Sequence, residues 1–475
     1  MTWEATVRAA LAGTARQPPA GESDPERAVL AAAAALAVRR LAGWTPPRGP
    51  VPAAEACPPE ELRAVSPAAA WRLEALLDGD RPELLPEWLE LAAAGRQVVP
   101  PRLLPRLLVH AERHAPLRGA VLDVIGRRGR WLAGQVSAWA FAALGDLDQA
   151  FETGTRPARA AALRELRRQD PAAALRRLAE GWPAESGEDR AALIGCLQVG
   201  LGPGDEAFLE AAGADARKEV RQTALTLLAR LPDSRLVGRM RARAAAMVGY
   251  RRGLLGGKLH VAPPRRCDPE LVAGGVEPKP APGVGERAWW LSQVLGMAPP
   301  GAWPVEAIEA AAATDWTATL LRGWAAGAAR FQDARWAEAL ALFWSRTPEK
   351  ARSELAFSPE LLLSALDPPD RDAVLLRVLA RSPADGAHLA ARCDHRWGAD
   401  VTRAVLQALP RLARPHADLA AAAARQVGLR GDPSLRAEAD ALAARTPDAP
   451  ALDRAFAAAA DTLHWRATMA EELAP

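Results

Sequence analysis

RAAALREL (159–166), RAALIGCL (190–197) and RQTALTLL (221–228) are one pattern written three times, with the leading arginines 31 residues apart. Four residues after each arginine stands Leu163, Ile194 or Leu225, and seven after it Leu166, Leu197 or Leu228. Positions i+4 and i+7 share a helix face, so each copy predicts a buried stripe with an arginine at its N-terminal edge. Pro171, Pro203 and Pro232 follow, where one helix must stop and another can begin. A fixed period of this length, built from short helices, predicts an α-solenoid. Equivalent positions for Arg159, Arg190 and Arg221, and burial of Leu163, Ile194 and Leu225, are the specific expectations. The register returns at Arg371 (Val374, Leu375, Val378) and at Thr402 (Val405, Leu406, Leu409), again 31 residues apart. The predicted fold is all-α: an α-solenoid of HEAT-like helical repeats interrupted by a long irregular insertion.

Composition agrees with a helical chain. Of 475 residues, 49% are hydrophobic but only 5% aromatic, with alanine supplying much of the total and tyrosine present once, at Tyr250. The 60 basic and 57 acidic residues leave a net charge of +3, which gives no global case for nucleic acid or an anionic membrane. The lysines are Lys218, Lys258, Lys279 and Lys350; arginine carries the other positive charges. Cys57, Cys196, Cys267 and Cys393 form no C-x-x-C pair and predict no disulfide framework. MTWEATVRAALAGTAR at the start has no signal-peptide pattern, and the longest apolar run, 28–38, is too short to span a bilayer. These features predict a cytoplasmic bacterial protein.

Five regions follow from the punctuation: an N-terminal helical region (1–130), HEAT-like repeats (131–248), a Pro/Gly-rich insertion (249–288), a Trp-rich helical pair (289–346) and C-terminal repeats (347–475). Ser23-Asp24-Pro25-Glu26 reads as a capping box with Ser23 at the cap, and 45–59 as a loop. Ser66, Asp170, Thr347, Ser358, Ser382, Asp432 and Thr446 each precede a proline, the pattern of a cap followed by the first helical residue. Within the insertion, 254–261 is predicted to hold a strand or hairpin. The repeats on either side are expected to bury their own faces without the insertion, which packs back upon them. Trp316-Leu320-Trp324 and Trp336-Leu340-Trp344 share an i, i+4, i+8 spacing and predict two helices packing their rings together.

AALAGTARQP (9–18), KLHVAPPRRCDPELVAGGVEPKP (258–280) and GERAWWLSQVLGMAPPGAW (285–303) together resemble an uncharacterised bacterial family of about this length, a domain of unknown function. The rest of the chain matches only in its helical, leucine-rich character. The resemblance implies membership of a system whose genes include a MoxR-type AAA ATPase, a von Willebrand factor A protein and a SWIM zinc-finger protein. It supplies no catalytic residues.

Two clusters invite a metal reading. His110 and His114 are one helical turn apart, but Ala111 stands where a zincin motif needs glutamate. His388, Cys393, Asp394 and His395 are dense in ligand types, yet Cys393 and His395 point to different faces of a helix. Nucleotide and nucleophile motifs do not occur in the sequence. No metal, cofactor or catalytic residue is therefore predicted. The partner surface is assigned to the insertion and its exit: Arg251, Arg252, Lys258, Arg265, Arg266, Trp289 and Trp290. Two adjacent rings on a helix are turned 100° apart, so one of Trp289 and Trp290 is expected to face a partner or the insertion. The favoured function is a non-enzymatic scaffold or adaptor for a protein partner, within an AAA ATPase-associated system. Its rival is a nucleic-acid-binding solenoid of the HEAT-like DNA glycosylase kind, an analogy at fold level only.

Overall fold

The structure, a computed structural model, describes residues 2–14, 16, 24–43, 56–143, 147–253, 256–280, 282–444 and 450–474, without the side chains of 450 and 451. It divides into two compact units, Met1–Cys57 and Pro58–Pro475. The first holds α1 (Trp3–Ala12) and α2 (Pro25–Leu41). Asp24, not Ser23, caps α2, accepting from the Glu26 and Arg27 amides; Ser23 lies outside the described residues, as does most of the 45–59 loop. Asp24 wins because Pro25 occupies the first helical position, which makes the residue before it the cap.

The second unit is all-α apart from two short strand pairs. It runs through α3 (Pro67–Leu77), α4 (Leu85–Ala94), α5 (Leu104–Arg113), α6 (Arg118–Val124) and α7 (Gly126–Gly134), with β1 (Arg63–Ala64) parallel to β2 (Gln97–Val98) beside them. Next come α8 (Leu147–Thr153), α9 (Arg156–Gln169), α10 (Pro171–Gly181), α11 (Gly187–Ile194), α12 (Glu206–Ala212), α13 (Lys218–Leu228) and α14 (Arg235–Met247). The insertion forms the hairpin β3 (Val248–Gly253) and β4 (Gly256–Val261), then α15 (Pro269–Ala273). Beyond it lie α16 (Glu286–Gly296), α17 (Ala307–Ala311), α18 (Thr317–Arg330), α19 (Ala334–Arg346), α20 (Glu349–Arg352) and α21 (Pro359–Ser364). The chain ends with α22 (Pro368–Arg381), α23 (Pro383–Ala390), α24 (Ala399–Leu412), α25 (Ala417–Arg430), α26 (Arg436–Ala443) and α27 (Pro450–Glu472).

Proline punctuation sets many of these starts. Ser66, Asp170, Ser358 and Ser382 each cap the helix whose first residue is the following proline. Asp432 caps a 3-10 turn instead, and the Thr347 hydroxyl donates back to the Phe343 carbonyl, so α20 begins one residue late, at Glu349. Thr446 lies outside the described residues.

The three repeat arginines occupy the fourth residue of α9, α11 and α13. Each donates to a carbonyl just upstream: Arg159 to Phe151 (2.7 Å), Arg190 to Glu185 (3.1 Å), and Arg221 to Asp215 and Ala216 (2.7 Å each). Arg159 also grips the Glu185 carboxylate with both guanidinium arms, and Arg190 pairs with Asp215 at 3.0 Å. Each arginine thus closes the turn before its own helix, and Arg159 and Arg190 also hold a carboxylate before the next. Arg371, fourth in α22, repeats the device with the carbonyls of Leu366 and Ser364 and the carboxylate of Asp394. At Thr402, fourth in α24, the hydroxyl donates to Gly398 and accepts from the Asp432 amide.

Burial follows the predicted stripes except at Leu166 and Leu225. Leu163 and Ile194 are fully buried, as are Val374, Leu375, Val378, Val405 and Leu409, with Leu406 nearly so. Leu225 is only half-buried. Helix α13 buries Val220, Ala224 and Leu228 instead, a stripe rotated by one position, and Leu225 faces the Gly274–Gly275 turn. Ile194→Ala is expected to cost about 2–5 kcal/mol in chemical denaturation, as a fully buried large-to-small change does. A loss within ~0.5 kcal/mol, the surface range, would remove Ile194 from the core.

The tryptophans pack as their spacing predicts, save at one end. Trp324 and Trp336 are buried with ring centroids 5.2 Å apart, and Trp303 lies 5.9 Å from Trp324. Trp316 sits at the cap of α18 and is half-buried. The insertion does fold back, but it is more than a passenger. Leu271 and Val276 are buried in the same core as the repeats, and Trp303 donates its indole N–H to the Val248 carbonyl at 2.8 Å. The helices on either side therefore do not bury their faces unaided.

Two inward arginines tie distant segments. Arg167 on α9 is 1% exposed and grips Asp205 with both arms (2.7 and 2.9 Å), while donating to the carbonyls of Pro171, Leu197, Val199 and Gly200. Arg466 on α27, also 1% exposed, grips Glu87 of α4 (2.6 and 3.0 Å) and donates to Gly428 and Gly431. Helix α27 joins two cores. Phe456 and Leu463 belong to the core of the repeats, whereas Met469 and Leu473 complete the one that α3–α7 build from Val65 to Ala142. Arg72–Glu472 (2.6 Å) and Arg81–Asp461 (2.6 Å) reinforce that junction.

Candidate functional site

The insertion starts as a hairpin whose two faces differ. Residues of one strand alternate between faces, and Arg251 pairs with Lys258 as Tyr250 pairs with Leu259. Tyr250, Leu259 and Val261 turn toward the core and are partly buried against it. The Tyr250 ring lies over Gly257, where any Cβ would come within 2.3 Å of it, so only glycine fits. Arg251 and Lys258 occupy the other face, directly opposed and exposed, with His260 two residues along. Like charges directly opposite across a strand pair destabilise it. Arg252, Arg265 and Arg266 are exposed as well, and none of these five cations has a carboxylate partner among the described residues. Residues 254 and 255, at the hairpin tip, lie outside the described residues.

At the exit of the insertion, the adjacent tryptophans hold adjacent carbonyls. Trp289 donates its indole N–H to Glu277 O at 2.8 Å, and Trp290 to Pro278 O at 2.9 Å. Gln293 completes the clamp, accepting from the Glu277 amide at 2.8 Å and donating to its carbonyl. Both indoles thus face the insertion. Trp290 is 6% exposed and belongs to the core, which removes it from any partner surface. Trp289 is half-buried and lines an open cleft beneath the insertion.

That cleft has a volume of about 550 Å³ and lies between α13, α16 and α18, with Gly274–Glu277 at its rim. Each helix contributes one face at helical spacing: Gln222, Leu225, Thr226 and Ala229; Trp289, Ser292, Gln293 and Gly296; Arg322, Ala326 and Arg330. Helix α18 approaches α16 closely because Gly323 and Gly327 carry no Cβ; one at Gly323 would lie 2.6 Å from Leu295 Cβ. Arg322 and Arg330 form no ion pair or side-chain hydrogen bond among the described residues, and Arg330 Nε is buried without a partner. Burial, with Arg230 nearby, holds the Arg330 guanidinium below its usual pKa. No motif or periodicity in the sequence brings these three faces together. The one local signal is Arg322-Ala326-Arg330, two arginines two turns apart on a helix read only for its tryptophans.

The histidine and cysteine clusters dissolve into separate contacts. His110 and His114 stack at 4.2 Å, and burial with the charges of His114 and Arg113 lowers the His110 pKa. His388 binds Glu360 at 3.1 Å; this hydrogen bond leads the causes that pull the Glu360 carboxyl down to about 2. His395 binds Asp372 at 2.8 Å, Asp394 pairs with Arg371, and burial pushes the Cys393 thiol up to about 12. Among the described residues no three His, Cys, Asp or Glu side chains are grouped as metal ligands. Cys196, Cys267 and Cys393 are free thiols. No helix among the described residues is long and apolar enough to cross a membrane.

The chain belongs to a family of unknown function, DUF5691, which it matches over residues 5–473. No curated protein matches it.

Proposed function

We propose that this DUF5691 protein is a non-enzymatic cytoplasmic scaffold of HEAT-like helical repeats, which docks an acidic surface of a protein partner on the outer face of its hairpin. The observation that carries this reading is Arg251 set directly against Lys258, exposed and without a carboxylate partner among the described residues. An opposed like-charge pair costs stability in the free protein, and an acidic group placed between the two removes that cost. Arg159, Arg190 and Arg371, by contrast, are held by carboxylates and carbonyls. The cationic face is therefore local, in keeping with a net charge of only +3. An AAA ATPase or a von Willebrand factor A protein is the partner class that the sequence resemblance suggests.

The test is direct binding of the full chain to a purified MoxR-type AAA ATPase and to a von Willebrand factor A protein from the same genome. Binding to one of them should weaken as salt rises from about 0.1 to 0.5 M, because exposed charges are screened. Arg251→Glu with Lys258→Glu should weaken it at least about ten-fold. Folding stability should change by no more than ~0.5 kcal/mol, since both residues are exposed. Binding that ignores the double reversal would move the partner surface off the hairpin. Sub-micromolar affinity for duplex DNA at physiological salt, with no affinity for either protein, would favour the nucleic-acid reading.

A further inference from the structure

The cleft between α13, α16 and α18 holds positive charge that the fold leaves unanswered. Arg322 and Arg330 share one face of α18 with the small Ala326 between them, about 12 Å apart along the helix axis. Neither meets a carboxylate among the described residues, and the buried Nε of Arg330 lacks any partner. Arg159, Arg167, Arg352 and Arg466 each grip a carboxylate with both arms, whereas Arg430 Nε, away from the cleft, shares with Arg330 Nε a buried position without a partner. A guanidinium that has lost water without gaining a counter-charge destabilises a fold. Glu277 is the acidic residue among those lining the cleft, but its side chain is exposed and pairs with neither arginine. The lining contributed by the other two helices is mixed, with Leu225, Trp289 and Met297 as its large apolar side chains among Gln222, Thr226, Ser292 and Gln293.

We propose that this cleft is a binding site for a small organic phosphate. Its phosphate oxygens lie over Ala326, between the forked donors of Arg322 and Arg330, a geometry that guanidinium groups match in two bonds at once. Its apolar body lies against Trp289, Leu225 and Met297. The volume of about 550 Å³ falls within the range of roughly 300–1,000 Å³ typical of small-molecule sites. The site stands on the cleft alone and is independent of any protein docked on the hairpin.

Titration calorimetry of the full chain with ATP, inorganic pyrophosphate and indole-3-acetate tests this, with thermal melts of the ligand-free variants alongside. ATP should bind saturably, pyrophosphate more weakly because it lacks an apolar body, and the carboxylate weakest. Arg322→Gln should weaken ATP binding at least about ten-fold, and Glu277→Gln should tighten it by removing a repelling charge. Arg330→Met should abolish the binding while raising the melting temperature of the ligand-free protein, an opposition that a merely structural arginine would not produce. The proposal is overturned if neither phosphate binds, or if Arg330→Met binds ATP as the parent does. Saturable binding of indole-3-acetate without either phosphate would make this a carboxylate site and sink the phosphate assignment.

Discussion

Arg167→Ala is expected to lower the stability of the protein by about 3–5 kcal/mol, the cost of breaking a buried ion pair by removing one partner. The Asp205 carboxylate, 3% exposed, would be left with the Gly202 amide as its remaining donor. The carbonyls of Pro171, Leu197, Val199 and Gly200 would lose a donor at the same time. Replacing an isolated buried pair by apolar residues is often neutral. Here the double variant Arg167→Met with Asp205→Leu should recover little, because the carbonyls of Leu197, Val199 and Gly200 still lose the guanidinium donor. Urea denaturation of both variants decides it. A double variant as stable as the parent would show that the carbonyl contacts contribute nothing.

The second large effect is expected at Arg466→Ala. It removes both arms from Glu87 and the donors to Gly428 and Gly431. The loss should again be about 3–5 kcal/mol, but its form should differ. Arg466 sits where α27 passes from the core of the repeats to the core built by α3–α7. Loosening it should let the α3–α7 region open before the rest. Hydrogen exchange is expected to accelerate first in Leu85–Ala94 and Pro67–Leu77, and denaturation to spread into two steps. One sharp transition at the parent's midpoint would refute this.

The helices that begin at Arg156, Gly187 and Lys218 were legible because periodicity is local. An arginine and its apolar followers lie within one helix, so Arg159, Arg190 and Arg221 could be placed from spacing alone. Leu225 was misread because its neighbour, the Gly274–Gly275 turn, is supplied by residues fifty positions on. Leu271 and Val276 were hidden for a related reason: in a Pro/Gly-rich stretch no period marks an apolar residue as core. The hairpin cations were readable as charges, yet only the strand register set Arg251 against Lys258. Trp290 was misassigned because two adjacent rings on a helix suggested an outward one, whereas the insertion supplied carbonyls for both. The cleft was beyond reach, since its three walls come from segments that nothing in the sequence aligns.

The junction made by α27 also bears on how the chain is born. Arg72 meets Glu472 across 400 residues of sequence. Ribosomes add about 5–20 residues per second, so the first-made core waits on the order of twenty to eighty seconds for Met469 and Leu473 to emerge. During that interval the apolar positions they cover face water or a holdase. Synthesis halted before α27 should therefore yield a nascent chain whose 65–142 region is cut by protease and retained by chaperones, although every helix of that region has already been made.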